Sequence, residues 1–308
     1  MPLINENSRG VFVIAATPFA DDLSVDVAGI GRLTEFYRKS GADGLTVLGI
    51  MGEAPKLSSS EARTVAAEFI RQAGDLPVII GVSAPGLAAM SELTKAVMDM
   101  GAAGVMVAPP STLRTDDQIV SYYQMVGETL GSDVPVVLQD YPLTTTVQMP
   151  VAVLKRIFET VPSIKMLKHE DWPGLAKISA LRAAEAAGAR RVSILTGNGG
   201  VMLFEEMQRG ADGAMTGFAY PEMMRDVVRY VTAGEIDRAQ DLFDAYLPLV
   251  RYEHQPGLGL AARKYVLKQR GALASDKLRR PGPSLSDADR AEIDRLMARL
   301  DRRLKELG

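Results

Sequence analysis

The chain has 308 residues, 47% hydrophobic and 24% charged, with a net charge of −3. These values describe an ordinary folded protein and exclude a disordered chain, the basic stripe that nucleic acid demands and, with no apolar run long enough, a bilayer span. The absence of cysteine excludes disulfides, thiolate metal sites and cysteine nucleophiles. Residues 1–10 are polar and lack the apolar centre of a leader peptide, so the expected compartment is the cytoplasm.

In chain order, a β-branched run at 11–16 ends at Thr17-Pro18 and predicts a first strand. A helix is expected over 25–39, with Val27, Ile30, Leu33 and Tyr37 at helical spacing. Strands follow at 45–48, 78–80, 105–108, 134–138, 164–168, 192–195 and 214–216. The intervening helices are expected over 58–72, 88–100, 115–130, 150–159, 174–187 and 201–208, with a last one at 221–232. Ser58 followed three residues later by Glu61 has capping-box spacing. Gly41-Ala42-Asp43-Gly44, Gly101-Ala102-Ala103-Gly104 and Gly210-Ala211-Asp212-Gly213 repeat one corner between a helix and a strand. Glycine ends a helix there in the left-handed conformation without a steric penalty.

Short apolar strands alternating with amphipathic helices imply a parallel sheet, and the repeated corner favours a (β/α)8 TIM barrel. A doubly wound open sheet is the alternative. No Gly-x-Gly-x-x-Gly follows the first strand, so no dinucleotide fingerprint supports it. After residue 232 only helices are expected, at 234–250, 256–270 and 286–307, the last set off by Pro281-Gly282-Pro283. The predicted organisation is a barrel over 1–232 and a C-terminal helical appendage over 233–308 packed on it. The charged tail at 301–306 mixes both signs and reads as a solvated helix face.

In a barrel of this kind the site lies at the C-terminal ends of the strands. Alternation along strand six puts Ile164, Met166 and Lys168 on one face, and Lys165, Leu167 and His169 on the other. If the first face lines the barrel, Lys168 sits at its inner upper edge. Burying an ammonium is costly, which favours the free amine, a nucleophile toward ketones. The competing reading is a lysine that reaches out of the mouth into water.

Gly10 through Thr17-Pro18-Phe19, Gly49-x-x-Gly52-Glu53 with Leu57-Ser58, Ile164-x-x-x-Lys168 and Thr196-Gly197-Asn198 occur in this order. The pattern resembles the dihydrodipicolinate synthase / N-acetylneuraminate lyase family. The resemblance runs along nearly the whole chain, including the helical appendage. It implies a (β/α)8 barrel whose strand-six lysine, here Lys168, forms an imine with pyruvate or a related 2-oxo acid. It also implies no cofactor and a homo-oligomer, a dimer or tetramer.

The chain departs from the family pattern in several places. The family's Gly-Thr-Thr-Gly-Glu after strand two has Ile50 and Met51 in the threonine places. Their backbone amides still suit a carboxylate, but the hydroxyls are gone. After strand five, Gln139 takes the place of the relay tyrosine and Asp140 that of asparagine, while Pro142 is kept. Ser111 stands where the family donates a tyrosine across subunits, and Thr144 aligns near its second-substrate arginine. Gln139 cannot act as acid or base. Dihydrodipicolinate synthase activity is therefore not the first expectation. The Gln-Asp-x-Pro run resembles members that dehydrate 2-keto-3-deoxy sugar acids, such as 2-keto-3-deoxyarabonate dehydratase. Elimination from an enamine needs no base on the C4 hydroxyl, as retro-aldol cleavage does.

The expected catalytic residues are Lys168 and Gln139. The expected substrate-binding residues are Gly49, Ile50, Met51, Asp140, Glu170, Thr196, Gly197 and Thr216. Glu170 is either the base at C3 or a loop ion pair, and Asp140 either meets substrate hydroxyls or orients Gln139. Glu53 is expected to fix the strand-two loop, His169 to face the helices, and His254 to be structural or exposed. Trp172 either walls the pocket or packs at its rim. Met98, Met100 and Met106 read as core filler. Two histidines in unrelated segments make no metal set, so no metal is expected. The expected function is a class I lyase on a small 2-oxo acid, first a 2-keto-3-deoxy sugar-acid dehydratase. A pyruvate-dependent aldolase or synthase, or a non-catalytic sugar-acid-binding barrel, remains open.

Overall fold

The apolar runs become strands because each is too short for a helix and most are bounded by glycine or proline. In the computed structural model, which describes residues 2–308, they pair in sequence order as a closed parallel barrel. The strands are β1 (Gly10–Ile14), β2 (Gly44–Val47), β3 (Val78–Gly81), β4 (Gly104–Val107), β5 (Val136–Asp140), β6 (Ile164–His169), β7 (Ser193–Thr196) and β8 (Gly213–Ala214). β8 returns to β1, so no sheet edge is left open.

The helices between them are α1 (Val27–Lys39), α2 (Ser59–Ala73), α3 (Leu87–Asp99), α4 (Asp116–Leu130), α5 (Pro142–Thr145), α6 (Val151–Thr160), α7 (Leu175–Ala186), α8 (Leu203–Gln208) and α9 (Pro221–Thr232). The short α5, after β5, was not expected from the sequence. The Ser58–Glu61 capping box forms as read, and Gly41, Gly101 and Gly210 all take the positive φ that their corners require. The open-sheet alternative is thereby excluded.

Two apolar layers hold the barrel. Phe12, Ile14, Ile79, Met106, Val137, Met166, Leu195 and Met215 fill the lumen, and Ile4 and Ala103 join them. The second, larger layer lies between strands and helices. Gly44 makes the lumen packing possible, because a Cβ there would sit 2.5 Å from the Phe12 ring.

Strand six departs from simple alternation. Val136 pairs with Ile164 but Val137 pairs with Met166, which leaves Lys165 as a bulge. Met166 therefore stays in the lumen while Ile164 joins Leu167 in the outer layer, contrary to the expected common face. Beyond the bulge the alternation resumes. Met100 is also corrected: it is 37% exposed and not core filler, whereas Met106 packs in the lumen.

After α9 come α10 (Ile236–Glu253), α11 (Gly259–Gln269) and α12 (Asp287–Leu307). They are clamped to the strand-two loop by Glu53, which is 1% exposed. Its carboxylate takes Lys264 Nζ at 2.7 Å, Lys56 Nζ at 2.9 Å and the Arg279 amide at 3.0 Å. Glu53 thus fixes the loop, as expected. Among the described residues no helix is long and apolar enough to cross a membrane.

Candidate active site

Gln139 and Lys168 are direct partners across the β5–β6 ladder, so their side chains emerge side by side at the C-terminal end. The Glu170 amide donates to Asp140 O at 2.8 Å, which extends the strand geometry past β6 and returns Glu170 to the lysine's face. Glu170 Oε2 lies 3.0 Å from Lys168 Nζ and accepts from Gln139 Nε2 at 2.6 Å. Lys168, Gln139 and Glu170 are all buried, at 5%, 3% and 6% exposure. Lys168 is therefore not a lysine that escapes into water. The partner of Glu170 is the lysine itself, and not a loop residue as the ion-pair alternative had it.

Gly197 faces this cluster. A Cβ on it would overlap the Glu170 side chain, so only glycine admits the carboxylate there. Gly49 lies across the lumen, where a Cβ would meet Ile14 at 3.5 Å and Met106 at 3.7 Å. Gly49 opens a one-turn 3-10 segment (Ile50–Gly52), whose first amides have no intrahelical acceptor. Met51 packs on the lumen residues, while the Ile50 side chain is 43% exposed. Thr216 is buried near Gly200, and its carbonyl accepts from the Ile14 amide.

Two expected contributors turn away from the cluster. Asp140 follows Gln139 and so points to the helix layer, where Lys177 Nζ of α7 lies 2.7 Å from its carboxylate. Lys177 also pairs with Asp171 at 2.6 Å. Burial pushes the Asp140 carboxyl up to about 6. Asp140 neither faces the lumen nor bonds Gln139. Thr196 likewise alternates with the lumen residue Leu195; its hydroxyl is 3.4 Å from Gly213 O, on the side of Glu206 in α8. His169 faces the helices, as expected, with Nε2 3.2 Å from Gly174 O; burial first, then Lys177, lowers it to about 4.

Residues without a local sequence signal complete the mouth. Arg263 of α11 presses on Gly217, which follows β8, and pairs with Glu253 at 3.2 Å. His254, at the end of α10, sits against Gly199 and Trp172. Sequence separation from the strands hid Arg263, and it left His254 expected only as structural or exposed. Among the described residues no group of His, Asp or Glu is placed to hold a metal ion.

A closed parallel barrel with a buried lysine–carboxylate pair at its C-terminal mouth is the frame of a (β/α)8-barrel enzyme, here of the lyase class. The chain belongs to the dihydrodipicolinate synthetase family, whose sequence profile matches residues 7–300. Among curated relatives, L-2-keto-3-deoxyarabonate dehydratase of Azospirillum brasilense is 29% identical over 299 residues, 95% of this chain and 94% of that one. The 4-hydroxy-tetrahydrodipicolinate synthase of Methanothrix thermoacetophila is 29% identical over 298 residues, 95% of this chain and 97% of that one. The crystal structure of dihydrodipicolinate synthase from Rhodopseudomonas palustris superposes with a TM-score of 0.96 at 55% identity, covering 97% of this chain and all of that one.

Proposed function

We propose that this protein forms a Schiff base between Lys168 and a small 2-oxo acid, and that its reaction is the dehydration of a 2-keto-3-deoxy sugar acid. The carrying observation is the Glu170 carboxylate 3.0 Å from Lys168 Nζ, beside a glutamine that cannot exchange protons. The Lys168 amine adds to C2 and water leaves, giving an imine that acidifies C3. Glu170 takes a C3 proton and forms the enamine. The C4 hydroxyl then departs, and the proton on Glu170 goes to it, so one water is released. A second water hydrolyses the conjugated imine and frees the lysine. The first amides of the Ile50–Gly52 turn, Gly49 among the lumen residues and the hydroxyl of Thr216 are the groups proposed to meet the substrate carboxylate and carbonyl. The reading needs no cofactor.

A second reading, aldol condensation or cleavage with pyruvate, is favoured by the synthase name of the neighbour at 55% identity. Against it, Gln139, Ser111 and Thr144 occupy the places of the proton relay and of the second-substrate arginine. We also propose a cytoplasmic location and a homo-oligomer, a dimer or tetramer; light scattering tests the oligomeric state.

The test is intact mass after borohydride reduction with pyruvate and with 2-keto-3-deoxy acids, beside Lys168→Ala. A reduced adduct that vanishes in the variant, with water and not pyruvate released on turnover, is expected. Pyruvate release establishes the aldolase. No adduct with any acid, in folded protein, leaves a non-catalytic binding barrel.

A further inference from the structure

We propose that His254, carried by the C-terminal appendage, completes the site by hydrogen-bonding a hydroxyl on the substrate tail beyond C4. This rests on the reading of the same site given above and adds the part of the substrate that the lysine cluster does not touch.

The turn after β7 (Asn198–Gly200) has Gly199 at φ 65, and a Cβ on it would be 3.0 Å from His254 Nδ1. The imidazole therefore occupies the notch left by a missing side chain. The Trp172 ring also neighbours it, with centroids 6.4 Å apart and planes inclined by 36°. His254 thus bridges the loops after β6 and β7, the two strands whose ends carry Lys168, Glu170 and Gly197. Gly197, which backs Glu170, is two residues from Gly199.

The second observation is Asn198, between those glycines. It is 4% exposed, and neither its Nδ2 nor its Oδ1 has a hydrogen-bond partner. A buried amide left unmatched costs stability, so such groups are normally met by water or ligand. No protein group among the described residues is hydrogen-bonded to the His254 ring either. A hydroxylated tail supplies a donor and an acceptor to both.

The charge state agrees. Burial, then the Arg263 guanidinium, holds the imidazole below its ordinary value, while Glu170 opposes them. At neutral pH the ring is uncharged, with one donor and one acceptor, which matches a hydroxyl better than a carboxylate. Pyruvate, which ends at C3, has no such hydroxyl.

The experiment compares borohydride trapping rates for pyruvate and for five- and six-carbon 2-keto-3-deoxy acids in wild type, His254→Phe and His254→Gln. The ratio of long acid to pyruvate should fall roughly tenfold in His254→Phe, the scale of one lost hydrogen bond. His254→Gln, which keeps a donor and an acceptor, should recover part of it. A wild-type ratio in folded His254→Phe overturns the assignment. A wild-type protein that traps no acid overturns the underlying Schiff-base reading, and this inference with it. Trapping of pyruvate with loss of ratio in neither variant sinks the His254 role alone.

Discussion

Glu170 owes its place to Gly197: the carboxylate occupies the volume that any side chain on the residue after β7 would fill. Glycine has no Cβ, and the barrel uses that absence to bring a carboxylate within 3.0 Å of the lysine. Gly197→Ala should displace Glu170 and lower kcat by about a hundredfold, because small misplacements near reacting atoms have effects of that size. Lys168 should still be trapped by borohydride. A variant with wild-type kcat would show that the position of Glu170 is immaterial.

Removing the charge of Glu170 while keeping its shape isolates its proton transfer. Glu170→Gln should retain the imine, seen as the reduced adduct mass, and lose turnover by about 10²–10⁴-fold, the usual worth of a positioned base. Exchange of the pyruvate C3 protons with deuterated water, followed by NMR, should fall in parallel. Undiminished exchange would move the base elsewhere.

Glu206 gives the protein a pH-dependent stability unconnected with turnover. The residue is 4% exposed, its Oε2 has no partner, and burial pushes its carboxyl up to about 8 from an ordinary 4.5. The folded state holds this proton to higher pH than the unfolded chain does. The stabilisation is full below about pH 4.5 and is lost as the pH rises through 8. Glu206→Gln, neutral at every pH, should flatten that decline and raise Tm at pH 8 by roughly 2–4 °C. Parallel melting curves for the two proteins between pH 5 and 8 would contradict a raised carboxyl.

The Glu53–Lys264 pair ties the appendage to the barrel with both side chains at or below 1% exposure. Lys264→Met leaves a buried carboxylate with weaker compensation and should cost about 3–5 kcal/mol in denaturant unfolding. Adding Glu53→Gln should restore part of that loss, since the two residues share one interaction. Strictly additive losses would mean that they act independently.

Periodicity and punctuation in the sequence determined the barrel. Each strand is a short apolar run, most of them bounded by glycine or proline, and the helices between them are amphipathic stretches, so local propensity and pattern agree along the chain. The lysine was legible because residue order and spacing matched a family pattern, and alternation near the end of strand six gave its face. The bulge at Lys165 was not legible, since register is settled by pairing with β5 and not by β6 alone. The outward turn of Asp140 and Thr196 follows from strand alternation, but the inward faces of β5 and β7 had to be known first. His254, Arg263 and the clamp on Glu53 were decided only by the tertiary structure. Their partners lie far away in sequence, and no local rule specifies which distant helix end a closed barrel brings over its mouth.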